Sequence, residues 1–249
     1  MSEREFRNST AIVGIGYSRS AAAPGGFSKN SGVSVMTLAV RAVREACADA
    51  GISARDIDGA ITYQLNDSVL AEEVLRAVDA REVRYAATLF GGGRYSSSTT
   101  MMMAEAVSHG IVRYGLVFRA MNGRSGVRVG QFGVGSKGNR VGGPEQFTSI
   151  YGLSGAAVMY AIQARRYLDV FGATDDDLGA WAVNGRRNAI ANPRATMRSP
   201  ITLEDHRNSR MIVDPYRLLD CCLETDVGVA LIVATAAEAR DLRKRPILI

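Results

Sequence analysis

The chain has 249 residues, of which 47% are apolar, and this is enough to bury one large core or two small ones. No apolar run approaches the roughly 20 residues that a membrane-spanning helix needs. The charged start of the chain also lacks the apolar stretch of a signal peptide. The net charge is +5, from 30 basic and 25 acidic residues that are interspersed. This pattern favours a solvated surface over a nucleic-acid-binding face, and it would also suit an anionic small ligand. We therefore expect a soluble, cytoplasmic protein with no nucleic-acid or membrane partner.

Cysteine and histidine are scarce. The cysteines are Cys47, Cys221 and Cys222, and because their number is odd and two are adjacent, we do not expect a disulfide framework. The two histidines, His109 and His206, are far apart and lack the spacing of metal ligands. The composition therefore argues against a zinc site, and we expect no metal.

The first half of the chain alternates strand and helix patterns. Short apolar runs predict strands at 11–18, 57–64, 83–90 and 112–122. Apolar residues at helical spacing predict helices at 34–51, at 68–79 and between the turn at 91–100 and Gly110. Ser34 is the expected N-cap of the first helix, and Gly51 is its expected stop. This alternation implies parallel strands joined by crossover helices, and hence a layered α/β core.

The second half departs from this alternation. Residues 123–147 are rich in glycine and polar residues and predict a long excursion. Helices are predicted at 154–172 and at 174–192, where Thr174 is the expected N-cap and acids in the first turn suit the helix dipole. A connector is expected at 203–222, a buried strand and a helix at 227–242, and the start of another strand in the final residues RPILI.

The stretch GGGRYSSSTT, residues 91–100, predicts a tight turn from the third strand into the third helix. Glycine permits positive φ and close approach of the backbone, and the helix offers free N–H groups and a positive dipole end. Such a turn can hold a thioester carbonyl, an enolate oxygen or a phosphate. The alternative is a turn that packing alone requires, with Ser96, Ser97 or Ser98 as the helix cap. The residues alone leave both interpretations open.

A second candidate site lies in FRAMNGRSG, residues 118–126, at the end of the fourth strand. Ligands in open α/β sheets bind outside the carboxyl ends of the strands. Arg119, Asn122 and Arg124 are therefore placed to meet a polar ligand. In the alternative interpretation Asn122 caps the strand exit and the two arginines are solvated.

Other motifs favour structural roles. GIGYSR, residues 14–19, lacks the third glycine and the downstream acid of a dinucleotide site, so we interpret it as tight packing. Acids surround the cysteines at 221–222 and would raise their pKa, so we expect small buried residues there. The methionines at 101–103 are expected to fill the core. A Schiff-base lysine is not expected, since only Lys29 and Lys137 are available to it, both in predicted loops.

The order of these segments resembles the N-terminal half of a thiolase-superfamily protein. The similarity is to the bacterial lipid-transfer-protein branch, which is related to the thiolase part of sterol carrier protein X. It runs over nearly all of the chain, and its most specific segments come from the second half. The segments that carry it are AIVGIGYS, AVREACADAGI, DIDGAIT, FGGGRYSSSTTMMMAEAVSHG, VFRAMNGRSG, ARRYLDVFGAT, PITLEDHRNSRMIVDPYRLLDCC and TDVGVALIVATAAEARDL.

The resemblance implies a fold and a division into domains. The expected fold is a thiolase-like α/β/α layered half with a mostly parallel five-stranded sheet. Residues 1–122 and 206–249 would form this core, and 123–205 would form an inserted helical loop domain that covers acyl-CoA. Family members continue into a C-terminal half with His-, Asn- or Tyr-type catalytic groups, and this sequence ends where that half would begin. The resemblance therefore leaves the catalytic residues unknown.

The resemblance also implies where a substrate would bind. In thiolases the turn before the third helix carries a cysteine that accepts an acyl group. Counting back from Gly110 places that site near Gly93, with Tyr95 and Ser96 as close alternatives, and none of these is a cysteine. Without a thiolate, no acyl-enzyme forms by that route. The expected thioester pocket is formed by Gly92, Gly93, Tyr95 and Ser96 and is shaped by Arg119, Asn122 and Arg124.

Members of this branch that lack the cysteine act as retro-aldolases in steroid side-chain degradation. They cleave a β-hydroxyacyl-CoA thioester, with a small DUF35, OB-type subunit as partner and as a homodimer within a heterotetramer. Coenzyme A would then enter as the thioester substrate, with no tightly bound cofactor. Two alternatives stay open: a non-catalytic half-thiolase that binds acyl-CoA or lipid, and an acetyl-CoA acyltransferase that uses Cys221 or Cys222.

Overall fold

The computed structural model describes residues 6–126, 146–153 and 155–249. Its helices are α1 (Val35–Ala50), α2 (Ala71–Ala77), α3 (Tyr95–Ser108), α4 (Ala156–Phe171), α5 (Asp175–Ala191) and α6 (Leu203–Asn208). Its strands are β1 (Thr10–Tyr17), β2 (Gly59–Gln64), β3 (Tyr85–Phe90), β4 (Gly115–Asn122), β5 (Met211–Val213), β6 (Tyr216–Arg217), β7 (Asp226–Thr235) and β8 (Ile247–Leu248). Residues 127–145, which hold Lys137 and most of the predicted glycine-rich excursion, lie outside the described residues.

Six strands form one sheet in the order β3-β2-β4-β7-β1-β8. Strand β2 pairs in parallel with β3 and β4, whereas β7 pairs antiparallel with β4 and β1. Strands β1 to β4 therefore run in one direction, and β7 and β8 run in the other. This confirms the mostly parallel α/β sheet, and the sixth strand is the short β8 at the predicted start of another strand.

The two faces of the sheet pack against different helices. Helices α1 and α2 cover one face, and α3 covers the other. Because successive side chains of a strand point to opposite faces, β4 places Leu116 and Phe118 against the first layer and Val117 against the second. A sheet that is buried on both faces needs nearly continuous apolar strands, which explains why the strand runs were easy to find in the sequence.

Both ends of α1 are capped as predicted. The Ser34 hydroxyl oxygen accepts a hydrogen bond from the Thr37 N–H at 3.2 Å. Gly51 has φ 82°, and its N–H donates to the Cys47 carbonyl at 2.8 Å. The Ala50 carbonyl, which the helix leaves free, accepts from the backbone N–H of Arg243 at 3.2 Å. These contacts fix the helix and also hold the C-terminal segment against it.

The glycines of GIGYSR are required by the close approach of α1. A Cβ added to Gly14 would lie 2.3 Å from the Ala46 carbonyl oxygen, and one added to Gly16 would lie 2.1 Å from that of Ala42. These are contacts with helix backbone, so no side-chain rotation could relieve them. The interpretation of this motif as tight packing is confirmed.

Two predicted helices are shorter in the structure. Helix α2 begins at Ala71 rather than at 68, because the Ser68 hydroxyl donates instead to the Ala120 carbonyl at 2.6 Å. The helix expected after β7 is a short 3₁₀ turn, Glu238–Asp241. The chain then leaves helical geometry, since the next segment is bound to the end of α1.

The chain divides into two compact units. The first comprises Met1–Asn122 and Thr225–Ile249, and the second comprises Gly123–Glu224. The first holds the sheet with α1 to α3. The second holds α4 to α6 and the β5–β6 hairpin, so the predicted connector contains a helix and a hairpin. The stretch from 206 to 224, which the sequence analysis grouped with the core, belongs to the second unit.

A buried polar pair lies inside the second unit. His206 is only 1% exposed, and its Nε2 lies 2.8 Å from Oδ1 of Asp220. Asp220 also accepts the N–H of Arg217 at 2.7 Å. A Cβ added to Gly179 of α5 would lie 2.8 Å from Nδ1 of His206. The absence of a side chain at Gly179 therefore lets α5 pack directly against the histidine.

Candidate functional site

The carboxyl ends of β2, β3 and β4 lie at one edge of the sheet because these strands are parallel. The glycine turn, residues 91–94, follows β3 at this edge and leads into α3. The Gly91 N–H donates to the Gln64 carbonyl, at the end of β2, at 2.9 Å. The side-chain oxygen of Gln64 is buried and has no hydrogen-bond partner within the described ranges. The turn therefore lies beside an unsatisfied acceptor.

The three glycines of the turn have different surroundings. A Cβ on Gly91 would lie 2.0 Å from Cε2 of Tyr95, so this glycine makes room for the aromatic ring. A Cβ on Gly92 would lie 3.8 Å from Cδ1 of Leu65, an ordinary contact. Gly93 is exposed, and nothing lies within 4 Å of its Cβ position. The turn thus combines one glycine that packing requires with one that faces open space.

No serine caps α3, so the alternative with Ser96, Ser97 or Ser98 as cap is wrong. The N-cap residue is Arg94, and its side chain makes no capping hydrogen bond. The N–H groups of Tyr95 and Ser96 donate to the carbonyls of Gly92 and Gly93, each at 3.1 Å. The serines lie inside the helix, so the backbone of the glycine turn itself closes the first turn.

The open end of α3 is positively polarised. Among the residues that the structure describes, the N–H groups of Gly93 and Arg94 have no hydrogen-bond acceptor. The Arg94 guanidinium lies 5.2 Å from the centre of the Tyr95 ring, and Ser96 is exposed. Free N–H groups and the helix dipole both favour an anion or a polarised carbonyl at such a place.

Arg119 is held in a contact network at the same edge. Its Nη2 donates to Oδ2 of Asp67 at 2.5 Å, and its Nη1 donates to the Ala120 carbonyl at 2.9 Å. The guanidinium also lies 5.3 Å from the centre of the Tyr63 ring. The Asp67 side chain is 5% exposed and that of Arg119 is 18% exposed. Arg119 is therefore neither solvated nor free for a ligand.

The sequence reasoning missed Asp67. Its signal was available, because an acid just beyond the end of β2 shares an edge with an arginine of β4 when the strands are parallel. Of the other candidates at the strand exit, Asn122 is half-buried and lies opposite Asp226 in the β4–β7 register. Arg124 is exposed and belongs to the second unit. The structure thus places Gly92 and Gly93 in the turn and Tyr95 and Ser96 at the start of α3, with Arg119 and Asn122 on the same sheet edge.

Comparison with known proteins gives a consistent result. The chain is 43% identical over 242 residues to a 17-hydroxy-3-oxo-4-pregnene-20-carboxyl-CoA lyase of Mycobacterium tuberculosis. The match covers 96% of this chain and 61% of the relative. The solved Ltp2-ChsH2(DUF35) aldolase is 38% identical with a TM-score of 0.83, over 98% of this chain and 60% of that one. A monomeric SCP2-thiolase-like protein of Mycobacterium smegmatis is 22% identical with a TM-score of 0.68, over 96% and 48%.

The chain has a thiolase-like α/β fold. It covers the N-terminal half of the thiolase fold and is similar to the steroid side-chain aldolases. It spans about three fifths of the length of the Mycobacterium tuberculosis lyase and of the solved aldolase, 61% and 60%. No protein-family model matches it.

The cysteines of this chain lie away from the glycine turn in sequence. Cys47 is buried in α1, and burial raises the pKa of its thiol to about 12. Burial and then the Asp220 carboxylate raise the pKa of Cys221. Cys222 is exposed, so the expectation that both adjacent cysteines are buried is wrong. The raised pKa of Cys221 agrees with the prediction that nearby acids oppose thiolate formation.

The methionines at 101–103 differ in their burial. Met103 is fully buried and meets Gly115 of β4, whereas Met101 is 41% exposed, so only part of the run fills the core.

Across the described ranges, no helix is long and apolar enough to cross a membrane. In the same ranges, no three His, Cys, Asp or Glu side chains are grouped as metal ligands would be.

A cavity of about 480 Å³ lies at the opposite edge of the sheet, near the amino ends of β2 to β4. Its lining includes Arg81, which pairs with Asp56 at 2.7 Å, and Arg113, which pairs with Glu238 at 2.6 Å. These arginines are satisfied by neighbouring acids.

Proposed function

We propose that this chain is the thiolase-like part of an enzyme that cleaves a β-hydroxyacyl-CoA thioester by a retro-aldol reaction. The substrate class would be a steroid side chain carried on coenzyme A. The thioester would bind at the glycine turn, with its carbonyl oxygen directed at the open end of α3. Gly92, Gly93, Tyr95 and Ser96 would form this pocket.

The observation that carries the proposal is Gly93. It stands at the place that the family resemblance matches to the thiolase nucleophile, and it offers open space with no sulfur. A retro-aldol reaction needs no acyl-enzyme, so the loss of the cysteine is compatible with it. The relatives support the same class, since one is named a carboxyl-CoA lyase and another an aldolase.

In this reaction the glycine turn would stabilise the enolate electrostatically. A base takes the proton of the β-hydroxyl, the Cα–Cβ bond breaks, and a ketone forms at the former β-carbon. The electron pair of that bond moves into the thioester, giving an enolate that is then protonated at Cα. The free N–H groups of Gly93 and Arg94 can donate to the enolate oxygen, which carries more charge than the carbonyl it came from. We assign the base to no residue of this chain.

The proposal includes a partner. The solved aldolase that the chain resembles is named as a complex with a DUF35 protein. We infer that this chain also works with a DUF35, OB-type subunit, as a homodimer within a heterotetramer. Coenzyme A would enter as part of the substrate rather than as a bound cofactor. A cytoplasmic location stays a prediction.

The test is to purify the chain with a DUF35-type subunit from the same source and to supply a 3-hydroxyacyl-CoA with a tertiary β-carbon. We expect release of a ketone together with the shortened acyl-CoA, and mass spectrometry would detect both products. Gly93→Leu should abolish release by filling the pocket. Gly185→Leu is the matched control, because nothing lies within 4 Å of that Cβ position either.

Three results would contradict the proposal. Saturable acyl-CoA binding without release would indicate the non-catalytic half-thiolase. An acylated Cys221 or Cys222 would indicate the acyltransferase. Equal loss of release in Gly93→Leu and Gly185→Leu would show that the glycine turn has no special part in the reaction.

A further inference from the structure

The loop between β2 and α2 connects the interior of the sheet to the glycine turn. Asp67 lies in this loop, and its Oδ1 accepts a hydrogen bond from the Leu65 N–H at 2.9 Å. Its other oxygen receives the Arg119 guanidinium at 2.5 Å. Between Leu65 and Asp67, Asn66 has φ 60°, a left-handed conformation that few residues with side chains adopt. One carboxylate therefore holds a tight loop closed and fixes it to β4.

The loop and the end of β2 lie close to the glycine turn at two points. Cδ1 of Leu65 is the nearest group to the position where a Cβ on Gly92 would lie, at 3.8 Å. The carbonyl of Gln64 accepts the Gly91 N–H at 2.9 Å. A chain of contacts thus runs from Arg119 through Asp67 and Leu65 to the end of β2 and Gly91, and Leu65 lies near Gly92.

The ion pair is shielded from water. The Asp67 side chain is 5% exposed, and the Arg119 guanidinium lies over the Tyr63 ring while its other arm bonds to the Ala120 carbonyl. An ion pair with these exposures is screened little by salt. Removal of one member leaves a charge that is both desolvated and unpaired, which is far more costly than removal of both.

We propose that Asp67 and Arg119 are positioning residues that hold the glycine turn through Leu65 and Gln64. They set the direction of the open N–H groups at the start of α3. This inference rests on the proposed function only where it concerns turnover. The positioning of the turn itself can be measured without any substrate.

The first test is amide exchange, with Asp67→Asn as the variant. The Gly91 N–H reports on the turn, and the Gly51 N–H, bound to the Cys47 carbonyl at 2.8 Å, reports on the same unit far from the site. We expect protection of Gly91 to fall by about tenfold or more, because a hydrogen bond to a charged group is lost, while Gly51 is unchanged. Equal change at both amides would mean a general loss of stability and would overturn the proposal.

The double variant separates positioning from simple damage. Asp67→Asn with Arg119→Gln removes both charges, so we expect Gly91 protection to recover part of what the single variant lost. Arg113→Gln is the matched control, because it removes another ion-paired arginine near the opposite edge of the sheet, and it should leave Gly91 unchanged. Additive losses in the double variant would contradict the coupling.

The second test uses the complex with its DUF35-type subunit. Asp67→Asn should raise KM for the acyl-CoA and lower kcat, since a displaced turn weakens both substrate binding and enolate stabilisation. If the parent complex releases no ketone but Gly91 exchange responds as expected, the proposed function fails and the positioning role stands. If the parent is active and the variant alters neither exchange nor kinetics, the positioning role fails alone.

Discussion

Alanine at position 16 is expected to destabilise the first unit by about 3 kcal/mol or more. The new Cβ would lie 2.1 Å from the Ala42 carbonyl oxygen and 2.3 Å from the Ala46 backbone nitrogen. Ordinary contacts of this kind are about 3.4 Å or longer, so α1 would have to move away from β1 by roughly 1 Å. Overpacking of a core costs about 1–3 kcal/mol when side chains can adjust. Here only backbone can move, and α1 carries seven buried residues with it.

Chemical denaturation followed by circular dichroism measures this effect. Gly93→Ala is the matched control, because the same substitution meets nothing within 4 Å and should change stability by less than about 0.5 kcal/mol. In a thermal melt the difference corresponds to about 2–4 °C per kcal/mol for a chain of this size. If Gly16→Ala were as stable as Gly93→Ala, the packing explanation of GIGYSR would be refuted.

Three further predictions concern other parts of the chain. Gly179→Ala should destabilise the second unit by about 1–3 kcal/mol, because its Cβ would meet His206. Gly185→Ala in the same helix should instead stabilise the unit by up to about 1 kcal/mol. Urea titrations check both variants, and equal effects would contradict the packing of Gly179 against His206. Burial raises the pKa of Asp49, but hydrogen bonds from the C-terminal segment and from β1 outweigh it and leave the pKa below its usual value. The ionised Asp49 therefore stabilises the fold above about pH 4, and this stabilisation is lost as the pH falls through the folded pKa. Asp49→Asn should lower the free energy of unfolding at pH 7. In acid, the free energies of unfolding of the variant and the parent, measured from denaturation curves, should become equal. Alkylation of the exposed Cys222 should leave acyl-CoA binding within about twofold in calorimetry, and a complete loss would revive the acyltransferase alternative.

The core was predictable because its sequence signals are local. Strands β2 and β4 are largely buried on both faces, so they read as apolar runs, and Ser34 and Gly51 mark the ends of α1 unambiguously. The alternation of strands and helices then gave the layers and the direction of β1 to β4. These features depend on residues that are neighbours in the chain or one turn apart.

The features that were missed depend on backbone hydrogen bonds or on tertiary contacts. The serines after the glycine turn resemble helix caps in sequence, but the carbonyls of Gly92 and Gly93 already close the first turn of α3, so the helix starts before them. The segment after β7 has helical residues, yet the bond between Arg243 and Ala50 draws the chain to α1. Neither contact has a signal within its own segment, because both partners come from distant positions or from the backbone.

The outcome for Arg119 shows how the two kinds of reasoning combine. The rule that ligands bind at the carboxyl ends of strands predicts a site at this edge, but an arginine there can serve either the ligand or the scaffold. The acid that decides between these roles, Asp67, lies 52 residues away in the chain. Its carboxylate binds the guanidinium, whereas the N–H groups of Gly93 and Arg94 have no acceptor within the described residues. A site that stabilises an enolate through backbone donors depends on how rigidly that backbone is held. As a positioning residue in our proposal, the arginine at this edge would fix the turn rather than touch the substrate.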